Sequence, residues 1–114
     1  MALAEEWAAG AGGCGHARIV CQDLHAFLDS DSGRYDLICL FEVLEHLEVP
    51  EQVVERCRGL LAKDGKMIGS VPVAMPYPAH LQVFESMAEA RDRLSPSTIV
   101  ERRGHWFLSW TGGL

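Results

Sequence analysis

The sequence predicts a single α/β domain whose sheet is parallel in its middle. Apolar runs of strand length occur at Tyr35–Phe41 and Lys66–Val71, and an amphipathic helical stripe lies between them. Continuous apolar runs are typical of strands covered on both faces, as in a parallel sheet. Alternation of such strands with amphipathic helices indicates an α/β architecture.

The chain before the first long apolar run is predicted to be mostly short elements. These are a helix at Ala2–Ala9, a glycine-rich turn at Gly10–Gly15, a strand at Ala17–Gln22, a helical turn at Leu24–Leu28 and a loop at Asp29–Arg34. Propensity favours the helix, and clustered glycine, serine and aspartate residues favour the turn and the loop. The predicted strand ends at Asp23.

The central part of the chain predicts a strand–helix–strand unit. After Tyr35–Phe41, Pro50 stands where proline is favoured, in the first turn of a helix. One apolar stripe follows at helical spacing, formed by Val53, Val54, Cys57, Leu60 and Leu61. Lys63-Asp64-Gly65 is predicted to end this helix with a turn, and Pro72 to stop the strand Lys66–Val71.

The last third of the chain predicts one helix and two strands. Val73–His80 contains two prolines and is expected to be irregular. Ser86 to Glu89 matches a capping box, which predicts a helix over Met87–Leu94. Thr98–Glu101 and His105–Trp110 are predicted strands, and they form either a hairpin or one bulged strand.

Composition excludes several classes of protein. The chain has 114 residues, of which 48% are hydrophobic and 23% charged, as in a globular domain. Ten basic against 16 acidic residues give a net charge of −6, which argues against nucleic acid as the main partner. No apolar stretch reaches the roughly 20 residues that span a bilayer, and the acidic N-terminus does not resemble a signal peptide.

The four cysteines suggest reduced thiols in the cytoplasm. Cys39 and Cys57 are expected to be buried, in a strand and on the apolar face of a helix. Cys14, His16, Cys21 and His25 do not have the spacing of a common zinc site, and no metal site is predicted.

The sequence Y-D-L-I-C-L-F-E-V-L-E-H-L at Tyr35–Leu47 carries a family resemblance. With L-L-A-K-D-G-K-M-I-G-S-V-P after the predicted helix, it resembles the C-terminal half of class I S-adenosylmethionine (SAM)-dependent methyltransferases, nearest to the ubiquinone-type O-methyltransferases. The resemblance covers roughly Ala17–Leu94 and extends to P-x-H-L-x-x-F at Pro78–Phe84, where such enzymes cover their substrate. It implies a Rossmann-like sheet with SAM as the cofactor.

The resemblance also implies roles for individual residues. Asp23 matches the acid that accepts a hydrogen bond from the adenine amino group, and Leu24 would contact adenine through its backbone. Phe41 and Glu42 match positions lining the methionine part of the cofactor. Glu45 and His46 fall on the loop facing the substrate. Such sheets bind ligands at the carboxyl ends of their strands.

One part of the family pattern is not visible in this sequence. The sequence does not show the family's first two strands, its glycine-rich loop or the acidic residue that binds the ribose hydroxyls. Gly10–Gly15 has no strand before it and no helix after it, so it does not fit that loop. The chain is therefore predicted to be a single partial methyltransferase domain over residues 1–114, in which Tyr35–Phe41 forms an open edge.

Two histidines are candidates for catalysis. Methyl transfer requires an aligned nucleophile, and a general base helps when the acceptor is a hydroxyl. Histidine as a residue type suits proton transfer near neutral pH, and His46 fits that role, although packing within the loop is an equal alternative. His80 lies in the irregular segment near the same face, where an exposed loop histidine is the simpler interpretation.

The sequence thus predicts methyl transfer from SAM to a small molecule, with no nucleic-acid or membrane partner. The alternative is a degenerate, non-catalytic methyltransferase-like domain that acts as an interaction module. Trp106, Phe107 and Trp110 are predicted to lie in the core or at an interface. Either a homodimer or a partner protein would cover the incomplete sheet.

Overall fold

The computed structural model describes residues 19–30, 33–75 and 80–111. Tertiary contacts divide the chain into two compact units, Met1–Asp31 and Ser32–Leu114. The helix predicted at Ala2–Ala9 and the turn at Gly10–Gly15 lie outside the described residues. None of the helices in the described ranges is long and apolar enough to cross a membrane.

The first unit contains helix α1, Leu24–Ser30, which runs past the helical turn predicted at Leu24–Leu28. The Asp23 carboxylate accepts a hydrogen bond from the Ala26 N–H at 3.1 Å and so caps the helix. The strand predicted at Ala17–Gln22 is wrong over its described part, because Ile19–Gln22 has no regular structure. A strand needs a neighbour for its backbone groups, and no described strand pairs with this segment.

The second unit is built on a four-stranded sheet with the order β1-β2-β4-β3. Its strands are β1 (Tyr35–Phe41), β2 (Leu61–Pro72), β3 (Thr98–Arg102) and β4 (His105–Thr111). β1 and β2 are parallel, whereas β4 is antiparallel to both β2 and β3. The predicted parallel sheet is therefore limited to one strand pair among the described residues.

Strand β1 has the predicted bounds but not the predicted burial. Only Leu40 is buried, whereas Leu37 is 55% and Phe41 48% exposed. Cys39, expected to be buried, is exposed. The reason is that β1 is an edge strand of the described sheet, with β2 as its one neighbour there.

Helix α2, Pro50–Arg58, begins at the predicted proline and buries Val53, Val54 and Cys57. Burial raises the pKa of the Cys57 thiol, which keeps it protonated. The predicted helical stripe also included Leu60 and Leu61; both are buried, but they lie after the end of α2. The helix therefore packs one face against the sheet, as its apolar spacing predicted.

The turn predicted at Lys63-Asp64-Gly65 lies within strand β2 instead of ending helix α2. Asp64 has a φ of 66°, and the register slips between the pairs Tyr35–Leu61 and Leu37–Lys66. A Cβ at Gly65 would stand 2.8 Å from the Tyr35 carbonyl oxygen, so only glycine fits there. The turn residues thus form a bulge that lets β2 start early.

Helix α3, Met87–Leu94, has the predicted bounds and the predicted cap. The Ser86 hydroxyl accepts a hydrogen bond from the Glu89 N–H at 3.1 Å. The Glu89 carboxylate in turn accepts one from the Glu85 N–H at 2.7 Å. These reciprocal contacts satisfy backbone donors that the helix leaves unpaired at its start.

Strands β3 and β4 form a hairpin, the first of the two predicted alternatives. Arg103 and Gly104 make the turn with φ values of 50° and 81°. Two consecutive positive φ values are the signature of a type I′ turn, which matches the twist of the paired strands.

The two faces of the sheet differ in burial. On one face, Trp106, Leu108 and Trp110 are at most 3% exposed and pack towards the helices. The Trp110 indole donates a hydrogen bond of 2.7 Å to the Leu94 carbonyl, which ties β4 to α3. On the other face Phe107 is 42% exposed. The prediction of core aromatic residues is thus confirmed for both tryptophans.

Arg93 joins the two helices of the second unit. Its guanidinium donates to both carboxylate oxygens of Glu51, at 3.0 and 3.3 Å. It also lies 4.9 Å from the centroid of the Phe84 ring. The Arg93 hydrogen bond holds the pKa of Glu51 below its ordinary value of 4.5.

Replacing the capping serine is expected to destabilise α3. Ser86→Ala removes the acceptor for the Glu89 N–H and should lower the free energy of unfolding by about 1 kcal/mol. Urea denaturation followed by circular dichroism measures this change. Ser86→Asp keeps an acceptor at the same position and should remain close to wild type; equal losses in the two variants would contradict the assignment of the cap.

The contribution of Glu51 to stability is expected to depend on pH. Its folded pKa is depressed, so the stabilisation is present above the ordinary pKa and is lost as pH falls through the lower, folded value. Because the pair is partly exposed, Glu51→Gln should lower the free energy of unfolding at pH 7 by only about 0.5–1 kcal/mol.

Urea denaturation of wild type and Glu51→Gln at several pH values tests this expectation, with the difference vanishing below the folded pKa. Glu55→Gln is the matched control, because Glu55 pairs with Arg58 on the exposed side of the same helix. A Glu51→Gln effect that stays constant down to pH 2 would rule out the ion pair as its cause.

Candidate functional site

Polar side chains gather where strand β1 ends. Glu42 follows the strand directly, and a 3-10 turn at Leu44–His46 comes next. His80, from the part of the chain after β2, lies beside His46 of this turn. The carboxyl end of a strand in an open α/β sheet is where ligands usually bind.

Glu42 is held in a strained backbone conformation by two side-chain contacts. Its φ is 56°, a region that residues other than glycine seldom adopt. The Ser70 hydroxyl donates to Glu42 Oε2 at 2.9 Å, and His105 Nε2 lies 2.7 Å from Oε1. Strain of this kind persists only where the surroundings fix it, and it often marks a functional position.

Glu45 is buried, which is unusual for a glutamate. It is only 1% exposed, and its Oε1 atom has no hydrogen-bond partner among the described residues. Loss of water raises the pKa of Glu45 above its ordinary value, and the Glu42 carboxylate adds to the rise. The imidazoles of His46 and His80 act in the opposite direction.

His46 and His80 meet beside the buried carboxylate. Their ring centroids are 4.8 Å apart with an interplanar angle of 75°, and His46 Nε2 lies 3.7 Å from Glu45 Oε2. His80 Nδ1 is 2.8 Å from the carbonyl oxygen of Met75. Since a carbonyl can only accept, Nδ1 carries the proton, and Nε2 holds the lone pair of the neutral ring.

Main-chain hydrogen bonds bring these two distant segments together. The Glu45 carbonyl accepts from the N–H groups of Leu81 and Gln82, at 2.8 and 3.0 Å. The Gln82 amide then donates to the carbonyls of Leu47 and Glu48. This docking fixes His80 next to His46.

The docking is also anchored from helix α3. Arg93, already paired with Glu51, donates a hydrogen bond of 2.7 Å to the side-chain oxygen of Gln82. The Gln82 side chain therefore links the ion pair between the helices to Leu47 and Glu48, which follow the turn that carries His46.

The residues predicted to contact the cofactor fall into two groups. Phe41 and Glu42 adjoin each other at the end of β1. Phe41 lines an open apolar groove of about 370 Å³ on the uncovered face, together with Gly69, Val100 and Phe107. Asp23 and Leu24 belong to the other compact unit, and their predicted roles stay predictions.

Two residues of this region, Ser70 and His105, were not identified from the sequence, and the burial of a third, Glu45, was not predicted. Ser70 and His105 bind Glu42 from β2 and β4, and Glu45 is the buried acid between the histidines. The sequence places Ser70 and His105 in separate strands, and only the pairing of β2 with β4 brings them together. The sequence shows that Glu45 and His46 are adjacent, but it does not show that Glu45 is buried.

Comparison with known proteins identifies what this chain is similar to. Over 50 residues it is 36% identical to the ubiquinone biosynthesis O-methyltransferase of Coxiella burnetii, a match covering 44% of this chain and 21% of that protein. The structure of magnesium protoporphyrin IX methyltransferase from Synechocystis with bound S-adenosylhomocysteine (SAH) aligns with a TM-score of 0.62 and 16% identity, over 98% of this chain and 58% of that one.

A second solved structure supports the same fold. The complex of DhpI with SAH aligns with a TM-score of 0.65 at 20% identity, over 98% of this chain and 62% of that one. The chain thus spans about a fifth of the curated relative and some three-fifths of these two structures. The Rossmann-like α/β fold expected from the sequence is confirmed. Since residues 4–113 match the family described as "Methyltransferase domain", the chain belongs to the methyltransferase domain family.

Proposed function

We propose that this chain serves SAM-dependent methyl transfer to a small-molecule acceptor. The observation that carries the proposal is the cluster of Glu45, His46 and His80 at the end of β1, where ligands bind in such sheets. Membership of the methyltransferase domain family supports it. Two similar structures contain SAH, and the curated relative is named as an O-methyltransferase.

For the cofactor we propose Asp23, Leu24, Phe41 and Glu42 as contacts. Phe41 offers an exposed apolar surface at the end of β1. Glu42 presents a carboxylate whose direction is set by Ser70 and His105. The Asp23 carboxylate stands at the start of α1, and its second oxygen is available to an amino group.

Methyl transfer requires little of the protein beyond aligning the acceptor with the methyl group, because the sulfonium of SAM already activates that group. Attack by an acceptor oxygen forms the O–CH₃ bond as the S–CH₃ bond breaks, which leaves SAH and one proton. His46 is 42% exposed on its side chain and can take that proton as a general base. His80, fixed through its Nδ1–H, orients the acceptor or assists His46.

Features outside the site support a proposal for the location and the protein partners of this chain. The Cys57 thiol is buried and forms no disulfide, which is in keeping with a cytoplasmic protein. The exposed apolar side chains of Leu37, Phe41 and Val100 favour burial against further protein, either a second copy or a partner.

Titration of the protein with SAH in a calorimeter tests the proposed cofactor site. Wild type should bind saturably, and Asp23→Ser should weaken binding by about tenfold, because it loses the acceptor for the adenine amino group. Serine can still cap α1, so this variant separates cofactor binding from helix stability.

Asp92→Ala is the matched control, since Asp92 is exposed on α3, and its affinity should equal that of wild type. The mass in solution, recorded alongside, reports whether a dimer forms. A folded sample that shows no binding at millimolar SAH would refute the proposal and would favour a non-catalytic interaction module.

A further inference from the structure

We propose that the ion pair between Glu42 and His105 sets how strongly the cofactor site prefers SAM to its product SAH, so that this preference rises with pH. The inference deepens the proposed methyl transfer and rests on it. SAM carries a positive charge on its sulfur atom, whereas SAH, which has lost the methyl group, does not. A negative charge beside the cofactor therefore favours SAM, and a compensating positive charge reduces that preference.

The first argument is that the Glu42 carboxylate is held in one place. Ser70, only 2% exposed, binds both the main chain and the side chain of Glu42. Its carbonyl accepts a hydrogen bond from the Glu42 N–H at 3.1 Å, and its hydroxyl donates to Glu42 Oε2 at 2.9 Å. Because the φ of 56° at Glu42 is fixed by these contacts, the carboxylate acts on a ligand from one direction.

The second argument is the set of acceptors around the His105 ring. Nε2 lies 2.7 Å from Glu42 Oε1, and Nδ1 lies 3.3 Å from the carbonyl oxygen of Arg103. A carboxylate and a carbonyl only accept hydrogen bonds, so both contacts are satisfied only when each nitrogen carries a proton. In that form His105 compensates the charge of Glu42. Histidine is the residue type that gains and loses this charge between about pH 5 and pH 8.

The other charges near His105, in the part of the chain that the structure describes, belong to two arginines. Arg102 is its partner in the register on β3, and Arg103 precedes it in the hairpin turn. On β2 its partner is Pro72, which has no charge. Both arginines are exposed, so water and salt screen their effect on the imidazole. The Glu42 carboxylate, in direct contact with the ring, is therefore the charge to which His105 responds most strongly.

The third argument is that the charge of Glu42 acts beyond its own contacts. Burial is the main cause that raises the pKa of Glu45, and the negative charge of Glu42 adds to the rise. The field of Glu42 thus extends to the 3-10 turn after β1. The side chains of His105 and Glu42 are 35% and 41% exposed, so solvent weakens their interaction. We therefore expect an effect of about threefold on binding.

Calorimetric titrations of the full chain with SAM and with SAH, at about pH 6 and about pH 8, test the inference. The measured quantity is the ratio of the two dissociation constants. In wild type the preference for SAM should increase about threefold from the lower to the higher pH. His105→Gln keeps a donor for Glu42 but carries no charge. At the lower pH it should prefer SAM about threefold more than wild type does, and at the higher pH the two proteins should agree.

The controls separate charge compensation from other effects. The amino group of each ligand ionises in the same way for every variant, so the difference between wild type and His105→Gln isolates the imidazole. In a Glu42→Gln background, His105→Gln should leave the ratio unchanged, because no carboxylate remains to be compensated. His25→Gln, at an exposed histidine of the other compact unit, should show the ratio of wild type at both pH values.

The ion pair is also tested without ligand. Urea unfolding of the single and double variants Glu42→Gln and His105→Gln gives the coupling free energy of the two side chains, which should be larger at the lower pH. A coupling that is absent there, or a ratio that is the same in wild type and His105→Gln at both pH values, would overturn this inference alone. Binding of neither SAM nor SAH by a folded sample would refute the proposed function, and this inference with it.

Discussion

The carbonyl group of Glu45 is the point on which the site depends. It accepts hydrogen bonds from the N–H groups of Leu81 and Gln82. These two bonds join the residues that follow His80 to the turn after β1. Without that docking, His80 would have no fixed position relative to His46. One main-chain oxygen therefore determines whether the two histidines act together, and the Gln82–Arg93 hydrogen bond reinforces it from α3.

Glu45 also shows how an acidic side chain can be buried beside two imidazoles. Its side chain is removed from water, which raises the pKa of its carboxyl group. The nearby imidazoles of His46 and His80 offset part of this penalty. Part of the free energy that burial costs is thus recovered in the contact with the histidines.

Much of the fold could be predicted, because local signals and tertiary structure agree. The apolar run at Tyr35–Phe41, the proline that starts α2 and the capping box of α3 each lie within a few residues. The burial of Glu45 and the contacts of Glu42 with Ser70 and His105 could not be predicted, because they depend on the pairing of distant strands. The strand expected before Asp23 failed for the same reason, since its propensity had no neighbour to pair with.

The position of β2 between β1 and β4 has a consequence for the motions of the sheet. The N–H groups of β2 donate alternately to the parallel neighbour β1 and to the antiparallel neighbour β4. Loss of pairing with one neighbour therefore frees only part of them. Residues 66–70 of β2 pair with both neighbours, and Met67 among them is fully buried. The slowest hydrogen exchange should therefore be found there, and local opening should begin at β1 and β3.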